Sequence, residues 1–258
     1  MKLKLNQPLL ALACGDSYGS YFERDGLMGT TFDRKLLPNK AVNREITDDT
    51  KMANILLTHY FKYKKINKKV LFNSYKNWAI KDGARDGIGM HTYSVLIQNS
   101  TNKDSEGNGA LMRVIPFGIA LIKDGYSFED ALTLMNEDSA LTHKNKTIFI
   151  ANRLALDIAI NGINILEKEI YKNILSKLKL GHTAWVIYSL YIVIETLKMN
   201  LSFTEGFKYI VSNGGDTDTN CAIYGAIKGA NQNIADEIDI SDFLTDDIVL
   251  YLGKTFYE

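Results

Sequence analysis

Four aspartates stand in two short motifs almost the whole chain apart, Thr47-Asp48-Asp49-Thr50 and Gly214-Gly215-Asp216-Thr217-Asp218-Thr219. Their carboxylates and hydroxyls make an all-oxygen donor set, which suits hard divalent cations rather than zinc or copper. An Asp-x-Asp pair behind two glycines places two carboxylates on a backbone free to bend around an ion. Adjacent carboxylates such as Asp48 and Asp49 point in different directions. They can therefore serve two ions, or bind one and hold water on the other. The chemistry expected of such a set is metal-assisted hydrolysis at a two-ion site whose ligands come from both motifs.

Other uses of these acids fit less well. An EF-hand loop starting at Asp216 needs Gly at its sixth position and Glu at its twelfth, where this chain has Cys221 and Ile227. A phosphatase-type aspartate nucleophile follows a continuous apolar strand, but Asn213-Gly214-Gly215 interrupts the run that ends at Val211. Simple N-capping on an exposed turn needs one acceptor per helix and not an acid pair. Buried without cations, such a cluster would be costly or would take up protons.

Both motifs sit where helices should begin. Apolar residues recur at three- and four-residue intervals over 51–63, 127–141, 147–160 and 182–197. The segment 221–230 carries Ala222, Gly225, Ala226, Gly229 and Ala230, small residues at helical spacing that permit close packing on a neighbour. Strict alternation is weak throughout, and proline occurs only at positions 8, 38 and 116. Gly- and Asn-rich stretches at 83–89, 100–109 and 212–215 punctuate the pattern without forming a long linker, and no internal repeat is evident. The expected fold is all-α, a single domain over 1–258 in which loops carry the chemistry.

Composition narrows the function further. A chain of 258 residues with 46% hydrophobic content can bury one large core. Thirty basic and thirty acidic residues balance, so no net field favours nucleic acid, a membrane surface or a polyanion. The Lys-rich stretch 62–69 reads as solvated charge at a helix junction. Cys14 and Cys221 lack the spaced partners of a zinc site or disulfide framework, so reduced thiols and a cytoplasmic location are expected. Two lysines followed by the apolar run 9–13 superficially look like a signal peptide. That run is short, Pro8 breaks its front, and Gly15-Asp16-Ser17-Tyr18-Gly19 follows at once. The apolar run 185–194 is likewise too short to cross a membrane and ends at Glu195. Neither a membrane nor a nucleic-acid partner is expected, and a monomer is favoured.

Four motifs in order now carry a resemblance: Gly15-Asp16-Ser17-Tyr18-Gly19 with Glu23, Thr47-Asp48-Asp49-Thr50, Gly107-Asn108-Gly109-Ala110-Leu111-Met112-Arg113, and Gly214-Gly215-Asp216-Thr217-Asp218-Thr219-Asn220. Over roughly residues 9–230 the chain resembles the ADP-ribosylglycohydrolase family of dimetal ADP-ribosyl-acceptor hydrolases. The resemblance implies a compact orthogonal helical bundle with two divalent cations, Mg2+ or Mn2+, at the base of a cleft. It implies Thr47, Asp48, Asp49, Asp216, Asp218 and Thr219 as metal ligands. Glu23 resembles the acid that the family carries on a mobile loop against the reacting ribose, and Glu23 or Asp49 would transfer the proton.

For the substrate, Asn108 and Gly109 resemble the turn that holds ribose and diphosphate, and glycine there lets backbone N–H groups approach phosphate oxygens. Gly87-Ile88-Gly89 loosely resembles a second phosphate-proximal loop, which would place Gly89 near the substrate, although it is not a dinucleotide fingerprint. His143 matches a region near the adenosine, and His182 a position often aromatic beside the substrate, while Trp185 reads as core. Two departures bear on acceptor class: Ala110 replaces a common serine, and Ser105 stands where arginine-specific bacterial members tend to carry an acid. The implied reaction releases free ADP-ribose from an ADP-ribosylated protein or small molecule. A non-catalytic ADP-ribose-binding protein, or an immunity-type protein blocking an ADP-ribosyltransferase, are the alternatives.

Overall fold

The computed structural model describes residues 7–23 and 30–254, so the lysines of the leader-like start and both ends of the expected 1–258 domain lie outside the described residues. Twelve α-helices run through the described chain, and its one β-bridge pairs Gly107 with Trp185. The all-α expectation is met.

α1 (Gln7–Glu23) places Pro8 in its first turn, where the missing N–H has no helical partner to lose. The apolar run is thus the buried front of a core helix. α2 (Asp48–Tyr63) starts three residues before the periodic pattern, because Asp48 and Asp49 occupy its first turn and favour the positive end of the helix dipole. It buries Met52, Ala53, Leu56, Leu57 and Tyr60 on one stripe. α3 (Lys68–Trp78) continues into a π-helical turn at Ala79–Gly83, and α4 (Met90–Leu96) begins after Gly89. The basic stretch is exposed at the α2–α3 junction, where Lys64 closes α2 in the left-handed region.

α5 (Leu111–Lys123), α6 (Phe128–Ser139) and α7 (Lys146–Asn161) follow, the last two capped by the side chains of Ser127 and Asn145. After the short α8 (Lys172–Leu175) comes α9 (Val186–Lys198). α9 starts later than the period suggests, because Trp185 is extended and its neighbour Ala184 accepts a bond from the Asn108 N–H. α10 (Phe203–Ser212), α11 (Thr217–Lys228) and α12 (Asp246–Lys254) complete the chain. No described helix is long and apolar enough to cross a membrane.

One hydrophobic core runs from α1 to α12, and α1 against α11 is its tightest pair. A methyl group at Gly15 would lie 2.2 Å from the Cys221 carbonyl oxygen, and one at Gly19 2.3 Å from that of Thr217. Glycine is needed at both places for the backbones to approach. The approach brings the acids of α1 against those of α11. Cys14 and Cys221 lie buried and free in the same pair, with burial pushing both thiols up and away from reactivity.

Candidate metal centre and substrate cleft

Three helices deliver the acids. Asp16 and Glu23 lie seven residues apart on α1, two turns along one face. Asp48 and Asp49 open α2, while Asp216 and Asp218 flank the start of α11. Gly214 and Gly215 enter that start at φ of 70° and 88°, values that exclude most side chains. Neither Thr47 nor Asp216 caps its own helix with its side chain, so capping is not what these residues do here. The cap of α2 comes instead from across the core, where the Asp16 carboxylate accepts from the Thr47 and Thr50 N–H groups.

Asp16 also receives both threonine hydroxyls. Thr47 Oγ1 donates to Asp16 Oδ1 at 2.8 Å, which turns the remaining lone pairs of that oxygen toward the acidic centre. Asp49 Oδ2 lies 3.3 Å from Thr47 Oγ1 and accepts at 3.2 Å from Thr219 Oγ1. Oxygens of Asp16, Asp49 and Asp218 fall within 4.8 Å of one another, as do those of Glu23, Asp216 and Asp218. Asp218 thus joins two adjoining groups.

The cleft above this charge holds about 690 Å³, and among the described residues no lysine or arginine lines it. Asp49 Oδ1 and Glu23 Oε2 are buried with no hydrogen-bond partner among the described residues. Burial first, then the neighbouring carboxylates, pushes Asp48 and Asp49 well above the usual carboxylate range. Asp218 moves the same way, by burial first and then by the carboxylate of Glu23. Glu23, desolvated and beside Asp218 and Asp216, is pushed up to about 7. An all-oxygen cluster with orphaned buried oxygens fits hard divalent cations.

Of the other expected residues, Asn108 is tied most closely to the acids. Its amide donates to Asp216 Oδ2 at 2.7 Å and to Ser189 Oγ at 2.9 Å, fixing which way that carboxylate faces. Gly89 lines the cleft beside Asp48, whose carboxylate its N–H approaches. A side chain at Gly89 would meet nothing within 4 Å, so the glycine leaves open space rather than satisfying a backbone demand. At Gly109 a methyl group would sit 3.0 Å from His143 Cε1, so the turn and the histidine are in contact. His143 lines the cleft. His182 does not, for its side chain is exposed and its backbone backs onto Gly215.

Several residues enter that the motifs alone did not single out. Trp185 packs against the core and also walls the cleft, and its Nε1 donates to Glu106 Oε2 at 2.8 Å while Thr147 Oγ1 donates to Glu106 Oε1 at 2.7 Å. His91 packs against His143 with ring centroids 4.8 Å apart. Met90 is 90% exposed on the rim. The departures at 105 and 110 are structural: Ser105 Oγ accepts from the Gly107 N–H, and Ala110 is fully buried off the cleft lining.

The comparisons with known proteins agree with the motifs. A profile of the ADP-ribosylglycohydrolase family matches residues 6–234. A protein of Acanthamoeba polyphaga mimivirus, provisionally described as ADP-ribosyl glycohydrolase L543, is 24% identical over 293 residues, spanning 89% of this chain and 87% of its own. A solved structure described as an ADP-ribosylglycohydrolase-related protein complex shares the fold, with a TM-score of 0.71 at 19% identity and 99% of each chain covered. This chain belongs to the ADP-ribosylglycohydrolase family.

Proposed function

We propose that this glycosidase-type hydrolase cleaves the bond between ADP-ribose and a modified acceptor, a protein side chain or a small molecule, with two divalent cations, Mg2+ or Mn2+. The observation that carries it is Asp49 Oδ1, buried and without a partner among the described residues, set among converging carboxylates at the floor of a cleft of nucleotide size. Thr47, Asp48, Asp49, Asp216, Asp218 and Thr219 would hold the cations. Bound there, the cations supply charge neutralisation and Lewis-acid polarisation of oxygen ligands.

The rest falls to the chain. Asn108 holds Asp216 in one orientation, and Asp16 does the same for the Thr47 hydroxyl. The glycines at 107 and 109 leave room for a phosphate-bearing ligand beside the turn. Glu23 titrates near neutrality at the end of α1, facing the cleft, and so suits proton transfer to the leaving acceptor or from the attacking water. Charge developing on the ribose would be oxocarbenium-like, as in other glycoside cleavage.

The test is release of free ADP-ribose from arginine-linked and serine-linked substrates, with Mg2+, Mn2+ or chelator. Cation-dependent release is expected, and the preferred substrate names the acceptor. No release from either, with ADP-ribose still bound, would point to a different acceptor or to the binding-module reading.

A further inference from the structure

Behind the Gly107-Asn108-Gly109 turn lies a fully buried arginine that the hydrolytic chemistry does not use. Arg113 donates through Nε to Asp138 Oδ2 at 2.8 Å, through Nη1 to the Gly109 carbonyl at 2.6 Å, and through Nη2 to Thr142 Oγ1 at 2.9 Å. Thr142 is also fully buried, and its Oγ1 stands 2.9 Å from His143 Nδ1. The Thr142 carbonyl lies 2.9 Å from His91 Nε2. One threonine thus touches an obligate donor and both cleft histidines.

Counting protons decides how this chain of contacts is wired. A guanidinium only donates, so Thr142 Oγ1 accepts from Arg113. The hydroxyl keeps one hydrogen, and of its two recorded neighbours only His143 Nδ1 can accept it. The opposite arrangement, with Nδ1–H donating to the hydroxyl, would strand a fully buried O–H and set a ring proton toward the arginine charge. His91 is fixed by the same logic, since a carbonyl only accepts and Nε2 must carry the hydrogen.

We propose that Thr142, oriented by Arg113, is a positioning residue that locks His143 in the Nε2–H tautomer, making it a hydrogen-bond donor to the ligand of the cleft. His143 is 2% exposed, and its Nε2 has no hydrogen-bond partner among the described residues. That nitrogen lies 3.3 Å and 3.5 Å from where side chains at Gly109 and Gly107 would begin, so it opens on the turn and the cleft. Burial, with Arg113 and His91 beside it, holds the ring well below the usual imidazole range, so it stays neutral and donates through one nitrogen. A neutral donor fixed in one tautomer recognises an acceptor oxygen without adding a counter-charge that would compete for the acidic centre. The proposal deepens the functional reading above and rests on it for the ligand's identity, though not for the tautomer.

The experiment is long-range proton–nitrogen NMR on protein labelled with 15N-histidine, with His143 assigned by its loss in His143→Gln. At pH 7 the wild type should show His143 Nε2 protonated and Nδ1 bare. Thr142→Ser should keep that pattern, whereas Thr142→Val should shift both ring nitrogens toward the averaged values of mixed tautomers. Imidazolium or Nδ1–H in the wild type would overturn the proposal, as would an unchanged pattern in Thr142→Val. Should Thr142→Val fail to fold by circular dichroism, the wild-type and serine spectra still decide. ADP-ribose titration is read separately: about tenfold weaker binding is expected in Thr142→Val, restored in Thr142→Ser. Equal binding in all three sinks the proposal. Failure of the wild type to bind ADP-ribose sinks the functional reading and leaves the tautomer result standing.

Discussion

Two buried charge clusters meet at the Gly107-Asn108-Gly109 turn, and they are finished in opposite ways. On one side Arg113 and Asp138 are both fully buried, and each is satisfied by the protein: Asp138 accepts from Arg113 Nε and from the Tyr75 hydroxyl, while Arg113 spends its other donors on Gly109 and Thr142. On the other side Asp16, Asp48, Asp49 and Asp216 are buried beside Glu23 and Asp218, and no lysine or arginine among the described residues lines their cleft. Architectural charge carries its counter-charge in the fold. The acidic cluster has no such counter-charge among the described residues, and under the proposed function a cation would take that place beside Asp49 Oδ1 and Glu23 Oε2.

The contrast is broken most sharply by opposite signs of stability and activity. Asp49→Asn should lower cation-dependent ADP-ribose release by about 10³-fold or more, because a ligand and its charge are lost together. The same change should raise the stability of the metal-free protein by about 0.5–2 kcal/mol, since it removes one repelling carboxylate from a site under strain for function. Asp218→Ala should behave alike in turnover. Chelator-treated denaturation curves and a product assay with Mn2+ read both effects. Full metal-dependent activity in either variant would sink the dimetal assignment.

Arg113→Met should do the reverse to the fold, costing about 3–5 kcal/mol, because Asp138 is left charged in a fully buried place. Removing both partners in Arg113→Met/Asp138→Leu should recover much of that loss, as paired deletion leaves no uncompensated charge. Urea unfolding of the single and double variants checks it. A single variant as stable as the wild type would mean that the pair is not the buried unit described here.

How far these two clusters were legible in the sequence differs for a physical reason. The acidic centre is readable because its carboxylates cluster in short motifs at helix starts, where Asp pairs and the glycines at 214 and 215 have few structural uses. The helical fold was readable from periodicity for the same reason of local repetition. Asp16 stood inside a quoted motif yet went unassigned, since its partners Thr47 and Thr50 lie more than thirty residues away. Its seven-residue spacing from Glu23 was the one local signal that it shares a helix face with a site residue. Glu106 and Trp185 come together at the Gly107–Trp185 bridge, and Thr147 reaches Glu106 from α7, long-range meetings which no period announces. His182 rests on the family resemblance alone, and tertiary packing turns its side chain outward.

The smallest expected effect concerns pH, and its sign follows from Glu23. A carboxyl whose folded value is raised from 4.5 to about 7 contributes stability that is fully present below 4.5 and is lost as pH rises through 7. Histidines work against this below about pH 6.5, because burial lowers both His59 and His143 and the unfolded chain then binds their protons preferentially. Comparing the wild type with Glu23→Gln cancels the histidines, which both proteins share. Without metal, the wild type should lose about 1–2 kcal/mol relative to Glu23→Gln between pH 5 and pH 7.5, a figure discounted for the partial exposure of Glu23. Saturating Mn2+ should flatten that difference, because a cation held by Asp216 and Asp218 stabilises a carboxylate beside it and competes with the proton for the same oxygens. Thermal or urea midpoints at the two pH values, with chelator and with Mn2+, measure it. A wild type that gains on Glu23→Gln over this window without metal would show that Glu23 already has its counter-charge inside the fold, and would move it to the architectural side of the comparison.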